Sequence, residues 1–88
     1  MERYLIFGYD SYYPVGGFED LQATTDDLTK AVAYIKENHA DLVEGYKSTE
    51  FDYFDVFDCV ERKYYTARVE LTTETVYLEE VEVDYKIL

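Results

Sequence analysis

The carboxylates near the end of this chain are the side chains whose spacing most strongly suggests a function. Acidic and apolar residues alternate over residues 77–85, with Val81, Val83 and Tyr85 expected on one side of a strand. Carboxylates on the other side would stand roughly 6.6 Å apart, and every second phosphate along one DNA strand lies about 6.8 Å from the last. The pattern therefore predicts an acidic strand able to mimic nucleic acid, formed by Glu79, Glu80, Glu82 and Asp84.

A second set of acids lies in the aromatic segment 51–60, at Asp52, Asp55 and Asp58. A strand would place Asp55 on one face and the other two on the opposite face, whereas a helix would gather all three. The β-forming residues around them favour the strand, and the helix stays open as an alternative. We interpret these acids as a second row of the same partner-binding surface. Calcium binding by these aspartates is the competing interpretation. Their spacing is not that of an EF-hand loop, so we predict no metal site.

Other residue types that could support catalysis are scarce. His39 is the only histidine and Cys59 the only cysteine, which excludes an internal disulfide. We expect His39 to be a solvated residue at a helix end and Cys59 to be a small buried hydrophobe. No Ser/His/Asp or Cys/His set and no phosphate-binding glycine loop can be found. The sequence therefore predicts a protein that is not an enzyme and needs no cofactor.

The charge balance limits the partners that the chain could bind. Twenty acidic residues stand against 8 basic ones, giving a net charge of −12. Such a charge opposes direct contact with nucleic acid or an anionic membrane and favours a basic partner. No run of about 18 apolar residues is present to span a membrane. The apolar run in the first eight residues is too short for a signal peptide, which indicates a cytoplasmic protein.

Hydrophobic periodicity predicts one α+β domain over residues 1–88. Thr24 and Asp27 fit a capping box, and an apolar stripe then predicts an amphipathic helix over residues 26–38. Alternating or aromatic segments predict strands at residues 3–9, 18–24, 51–60, 64–73 and 77–85. The expected fold is an antiparallel sheet of about five strands in the order β-β-α-β-β-β, with the helix packed on one face. The first strand is expected to be central and covered on both faces, because its apolar run is continuous.

The loop after the first strand is rich in turn formers and carries two adjacent tyrosines. Asp10, Pro14 and the pair Gly16-Gly17 favour a tight, ordered return of the chain. Tyr12 and Tyr13 are then either an exposed contact for a partner or rings that fold back onto the sheet. The sequence alone does not decide between these two interpretations.

The first part of the chain resembles a group of small proteins encoded by bacteriophages. The resemblance covers roughly residues 3–38 and rests on an apolar strand, the loop G-x-D-x-Y-Y-P-x-G-G-F-x-D from Gly8 to Asp20, and a Thr/Asp helix start. Members of that group usually have Trp where this chain has Phe18. The resemblance implies phage origin and work inside a bacterial cell, and it carries no catalytic residues.

Together these features predict a small acidic inhibitor that binds a basic, nucleic-acid-handling protein of the host or its defence systems, such as a CRISPR nuclease. Nucleic-acid mimicry by the acidic strand is one mode for that binding. The alternative is a protein–protein interaction or homodimeric assembly module that uses a tyrosine-rich surface. The predicted partner-binding residues are Glu79, Glu80, Glu82, Asp84, Asp52, Asp55, Asp58, Tyr12 and Tyr13.

Overall fold

Five strands and one helix make up the parts of the chain that the structure, a computed structural model, describes: residues 2–10, 20–43 and 51–82. Every pair of neighbouring strands is antiparallel, and the lateral order is β2-β1-β3-β4-β5. The elements in chain order are β1 (Tyr4–Tyr9), β2 (Leu21–Thr25), α1 (Leu28–Asn38), β3 (Tyr53–Asp58), β4 (Lys63–Glu70) and β5 (Thr75–Val81).

Strand β1 lies between two partner strands that are distant from each other in the chain. Ile6 stands opposite Ala23 of β2 on one side and opposite Val56 of β3 on the other. The chain leaves β2 through α1 and returns on the far side of β1, so that β2 and β3 are not neighbours. The chain is α+β, but the predicted arrangement is wrong, since the lateral order of the strands departs from their order in the chain.

Helix α1 is shorter and more weakly packed than the sequence predicts. Its N-cap is Asp27, whose side chain accepts a hydrogen bond from the Thr29 N–H at 2.8 Å, whereas Thr24 belongs to β2. Its buried apolar side chains are Ala31 and Ile35. A stripe this narrow anchors the helix without covering the face of the sheet, which is the physical reason that the predicted arrangement of the helix is wrong. No helix in the described ranges is long and apolar enough to cross a membrane.

The core lies between α1 and one face of the sheet. The region 51–60 forms strand β3 rather than the alternative helix, and its Phe54 and Val56 are almost fully buried. Strand β1 is not covered equally on both faces, because its residues alternate between buried and half-buried. The buried apolar side chains are Tyr4, Ile6, Ala31, Ile35, Phe54, Val56 and Val76.

The side of strand β5 that packs on the core is the opposite of the one predicted. Val76 is buried and Leu78 packs on the core, so Glu80 shares their side of the strand, and Val81 lies on the other side with 38% of its surface exposed. The two apolar residues that begin the strand set its orientation, whereas the prediction was based on the residues that follow Glu80.

Strand β4 largely agrees with the sequence. Tyr65, Ala67 and Val69 share one side of the strand and pack against the core. Leu71 falls within the predicted strand 64–73 but lies in the turn after the observed strand, where it is 62% exposed. The strand therefore ends at Glu70, before the predicted end at residue 73.

Candidate functional site

The sheet face opposite α1, which we call the helix-free face, is rich in aromatic residues. Strand alternation assigns residues to it, because the odd-numbered positions of β1 and β3 lie opposite the buried even-numbered ones. No described element packs over this face, since α1 contacts the sheet from the other side. Its central members are Leu5, Phe7, Tyr9, Tyr53, Asp55, Phe57, Tyr64, Thr66, Arg68, Tyr77, Glu79 and Val81.

A buried carboxylate, that of Asp55, lies at the centre of the helix-free face. Asp55 is only 5% exposed and stands between Phe7 of β1 and Thr66 of β4. The Tyr64 hydroxyl donates a hydrogen bond of 2.6 Å to its Oδ2 atom, and the Tyr9 hydroxyl hydrogen-bonds to the same carboxylate. The acid is thus held in place by phenol groups from both neighbouring strands.

The two hydroxyls remain protonated at neutral pH. Burial, reinforced by the negative charge of Asp55, raises the pKa of Tyr9 to about 12. Burial is also the largest cause that raises the pKa of Tyr64, followed by its hydrogen bond to Asp55. Both tyrosines are therefore hydrogen-bond donors under physiological conditions, and neither neutralises the charge of a carboxylate.

Asp55 has no cationic partner among the described residues, in contrast to three other acids of the sheet. Asp58 pairs with Arg3 at 2.8 Å. Glu79 pairs with Arg68 at 3.1 Å and Glu80 with Lys63 at 3.8 Å. A buried charge without an opposite charge is costly, which makes the aromatic cluster around Asp55 the most unusual electrostatic feature of the described structure.

Two exposed tyrosine rings lie on the same face as this acid. Tyr53 is 48% exposed and stacks on Tyr9, with ring centroids 5.4 Å apart and planes inclined by 20°. Tyr77 on β5 is 52% exposed. Tyrosine provides a large, rigid contact area and few rotatable bonds, a combination that suits protein interfaces.

The three aspartates of the segment 51–60 do not form one exposed row. Asp58 is 1% exposed and lies on the core side of β3, where the hydrogen bond from Arg3 lowers its pKa to about 2. Its Oδ1 atom also accepts the Val60 and Glu61 N–H groups at 2.9 and 3.2 Å. Asp55 lies on the opposite face, as the strand prediction requires, but it too is buried. Asp52 alone is exposed, just before β3.

The acids predicted to form a C-terminal row do not share one face of the strand either. Glu79 is on the helix-free face and Glu80 on the core face, and both are paired with a cation. Glu82 is exposed beyond the end of β5. Asp84, Tyr12 and Tyr13 lie outside the described residues.

Two further expectations are corrected by the structure. His39 is buried rather than solvated. Its Nδ1 atom accepts the Asp41 N–H at 3.1 Å, and burial lowers the pKa of its imidazole. Cys59 is exposed in the turn after β3 instead of buried. Within the described ranges, no group of three His, Cys, Asp or Glu side chains is placed to hold a metal ion.

Sequence reasoning did not single out Tyr9, Tyr53, Tyr64 or Tyr77. A partial signal was present, because alternation places Asp55 between Tyr53 and Phe57 on one face of a strand. The contributions of Tyr9 and Tyr64 depend on strand pairing, which no local pattern reveals.

Comparison with known proteins identifies relatives in bacteriophage. A 54-residue stretch is 37% identical to the uncharacterized 16.0 kDa protein in the segB-ipI intergenic region of enterobacteria phage T4. The match covers 61% of this chain and 38% of the length of that curated relative. No solved structure matches. The model of the family described as bacteriophage T4 protein Y07C matches residues 4–68, and the chain therefore belongs to that family.

Proposed function

We propose that this phage protein is a binding protein without catalytic activity, and that it captures a basic partner protein with its helix-free face. The observation that carries the proposal is an aromatic sheet face over which no described element packs, with a buried carboxylate at its centre that pairs with none of the described cations. The exposed rings of Tyr53 and Tyr77 would supply most of the contact energy, because aromatic anchors dominate protein interfaces.

The charge of the chain supports a basic partner. A net charge of −12 accelerates encounter with a positive surface through long-range attraction and disfavours acidic competitors. Basic surfaces of this kind are typical of proteins that handle nucleic acid. A nucleic-acid-binding protein of the bacterial host or of its defence systems is accordingly the proposed target class, and occupation of its basic surface would inhibit it. The membership of a phage family supports work in the cytoplasm of an infected cell.

The geometry favours this aromatic contact over mimicry by a row of acids. Of the residues proposed for such rows, Asp55 and Asp58 are buried, and Glu79 and Glu80 point to opposite faces. Exposed aromatics can also stack with the bases of a single strand. The negative charge of this chain opposes that use, because single-strand binding grooves are positively charged.

The test is a comparison of matched surface variants. Tyr53→Ser and Tyr77→Ser remove exposed rings from the helix-free face, while Val60→Ser, at a site 67% exposed in the turn after β3, is the control. Tagged proteins would be expressed in the host, crosslinked during infection, and their partners identified by mass spectrometry. The affinity of each variant for the purified partner would then be measured.

We expect each tyrosine variant to bind the partner at least about tenfold more weakly, as is usual for an aromatic anchor, and Val60→Ser to bind like wild type. Equal affinity of all variants would refute the proposed surface. A concentration-dependent dimer that Tyr53→Ser and Tyr77→Ser abolish would instead identify the face as a contact between two copies of the chain.

A further inference from the structure

We infer that the helix-free face binds an arginine side chain of its partner, with the guanidinium over the Tyr9–Tyr53 ring pair and next to Asp55. This inference rests on the proposed function and specifies the chemical group that is recognised. The aromatic pair, the uncompensated acid and the cations already present in the chain each contribute an independent argument.

The ring pair provides a flat surface of the right kind. Tyr9 and Tyr53 are nearly parallel, with their centroids 5.4 Å apart, and almost half of Tyr53 is exposed. A cation placed within about 6 Å of a tyrosine centroid is attracted by the negative face of the ring. Of the two basic side chains, the planar and weakly hydrated guanidinium of arginine stacks on such a ring better than the ammonium of lysine.

Asp55 supplies the charge that completes the site. Its carboxylate is 5% exposed and accepts hydrogen bonds from the neutral hydroxyls of Tyr64 and Tyr9. A carboxylate has about four acceptor positions, so these two donors leave capacity for further hydrogen bonds. The burial also keeps the field of this charge from being screened by water. The cluster therefore has one net negative charge beneath an aromatic surface, which matches a single guanidinium.

The cations of the described structure do not occupy this position. Arg68 lies on the same face but donates its Nε–H to Glu79 at 3.1 Å. Arg3 is engaged with Asp58, and Lys63 pairs with Glu80. Among the described residues, Asp55 thus makes no ion pair, and a guanidinium from a partner protein would supply the missing charge.

A short peptide tests the recognition without the partner. The probe is the capped peptide Gly-Arg-Gly, titrated into isotope-labelled full-length protein while NMR signals of the tyrosine rings and the backbone are followed. The same peptide with citrulline in place of arginine is a neutral match of nearly equal shape, and the Gly-Lys-Gly peptide tests preference for the guanidinium.

Three variants separate the contributions. Asp55→Asn removes the charge but keeps the size and an acceptor for a tyrosine hydroxyl. Tyr53→Leu removes the exposed ring and leaves Asp55 in place. Val60→Ser, at the exposed site in the turn after β3, leaves the cluster unchanged and serves as the control. Thermal unfolding of each variant checks that the fold is retained.

We expect the arginine peptide to shift signals of Tyr9, Tyr53 and the strand around Asp55 at millimolar concentration, with lysine weaker and citrulline without effect. Asp55→Asn and Tyr53→Leu should each weaken the interaction by about fivefold or more, and Val60→Ser should keep it. Shifts that are equal for arginine and citrulline, or that map away from this face, would overturn the inference.

The proposed function and this inference can fail separately. If Tyr53→Ser and Tyr77→Ser weaken partner binding but Asp55→Asn does not, and the arginine peptide causes no shifts, the face binds a protein without an arginine site. If none of these variants affects partner binding, the proposed function fails as well. Should Asp55→Asn unfold the protein, the peptide comparison between arginine and citrulline on the wild type still decides the inference.

Discussion

Arg3 and Asp58 are separated by 55 positions in the chain and form a two-pronged ion pair, with Nε to Oδ1 at 2.9 Å and Nη2 to Oδ2 at 2.8 Å. The same carboxylate organises the turn after β3 by accepting the N–H groups of Val60 and Glu61. The Arg3 N–H in turn donates to Asp26 at 3.1 Å. This pair therefore links the start of β1 both to the β3–β4 turn and to the segment that leads into α1.

Replacing Asp58 with Asn should lower the free energy of unfolding by about 2 kcal/mol, because charge-assisted hydrogen bonds are replaced by weaker neutral ones in a buried position. Urea denaturation at pH 7 measures this. Glu61→Gln is the matched control, since Glu61 contacts Arg3 only at 3.6 Å and is exposed, and it should change stability by less than about 0.5 kcal/mol. Equal effects of the two variants would contradict the assigned role of Asp58.

The same acid gives a specific dependence of stability on pH. The hydrogen bond from Arg3 lowers the pKa of Asp58 from 3.8 to about 2, so the folded state favours the ionised form. Its contribution is complete above about pH 4 and is lost as the pH falls from there to about 2. The difference in unfolding free energy between wild type and Asp58→Asn should shrink across this window. A difference that stays constant from pH 5 to pH 2 would show that the carboxylate charge does not matter.

At alkaline pH the cluster around Asp55 should limit stability. The pKa of Tyr9 is raised from 10.0 to about 12, so the folded state favours the protonated phenol. This contribution is complete below about pH 10 and is lost as the pH rises towards 12. Tyrosine Cζ signals in NMR should show Tyr9 and Tyr64 titrating above the ordinary pKa of a tyrosine, which is 10.0. In Asp55→Asn the pKa of Tyr9 should fall, because the carboxylate is one of its causes, and an unchanged titration would rule out that interaction.

Replacing Gly8 with Ala should destabilise the protein by about 2 kcal/mol through overpacking. A β-carbon at this position would lie 2.8 Å from Cδ2 of Phe51 and 3.0 Å from Cε1 of Phe54, closer than such contacts allow. Thermal unfolding measures the loss. Adding Phe51→Leu should restore part of the stability, because the two sites would then be coupled, and purely additive losses would point to a different cause.

The sequence carried enough information for five strands and a single helix, because alternation and the apolar stripe of α1 are local properties. The sequence pattern led to a wrong prediction for β5. Its apolar residues lie at even-numbered positions before the adjacent acids Glu79 and Glu80, and at odd-numbered positions after them. The strand is oriented by Val76 and Leu78 and ends at Val81. An alternating pattern gives the spacing of a strand but not which of two competing phases is buried.

The candidate site was only partly predictable for a related reason. The face of Asp55 follows from alternation, but its burial depends on Tyr9 and Tyr64, which strand pairing brings from β1 and β4. The ion pair of Asp58 similarly depends on Arg3, which precedes the neighbouring strand β1 and is distant only along the chain. An acid in a sequence reads as a surface residue by default, and the partners that bury it here lie in other strands.

The position of β1 between β2 and β3 has a consequence for the order of folding. Strands β3, β4 and β5 are joined by short turns and can pair as soon as they are made, whereas Tyr4 must meet Asp58. Pairings between distant parts of a chain form slowly, because a long loop must close first. During synthesis β1 and β2 therefore leave the ribosome before their sheet neighbour β3 is available, and β1 gains that neighbour only after Asp58 has left the exit tunnel.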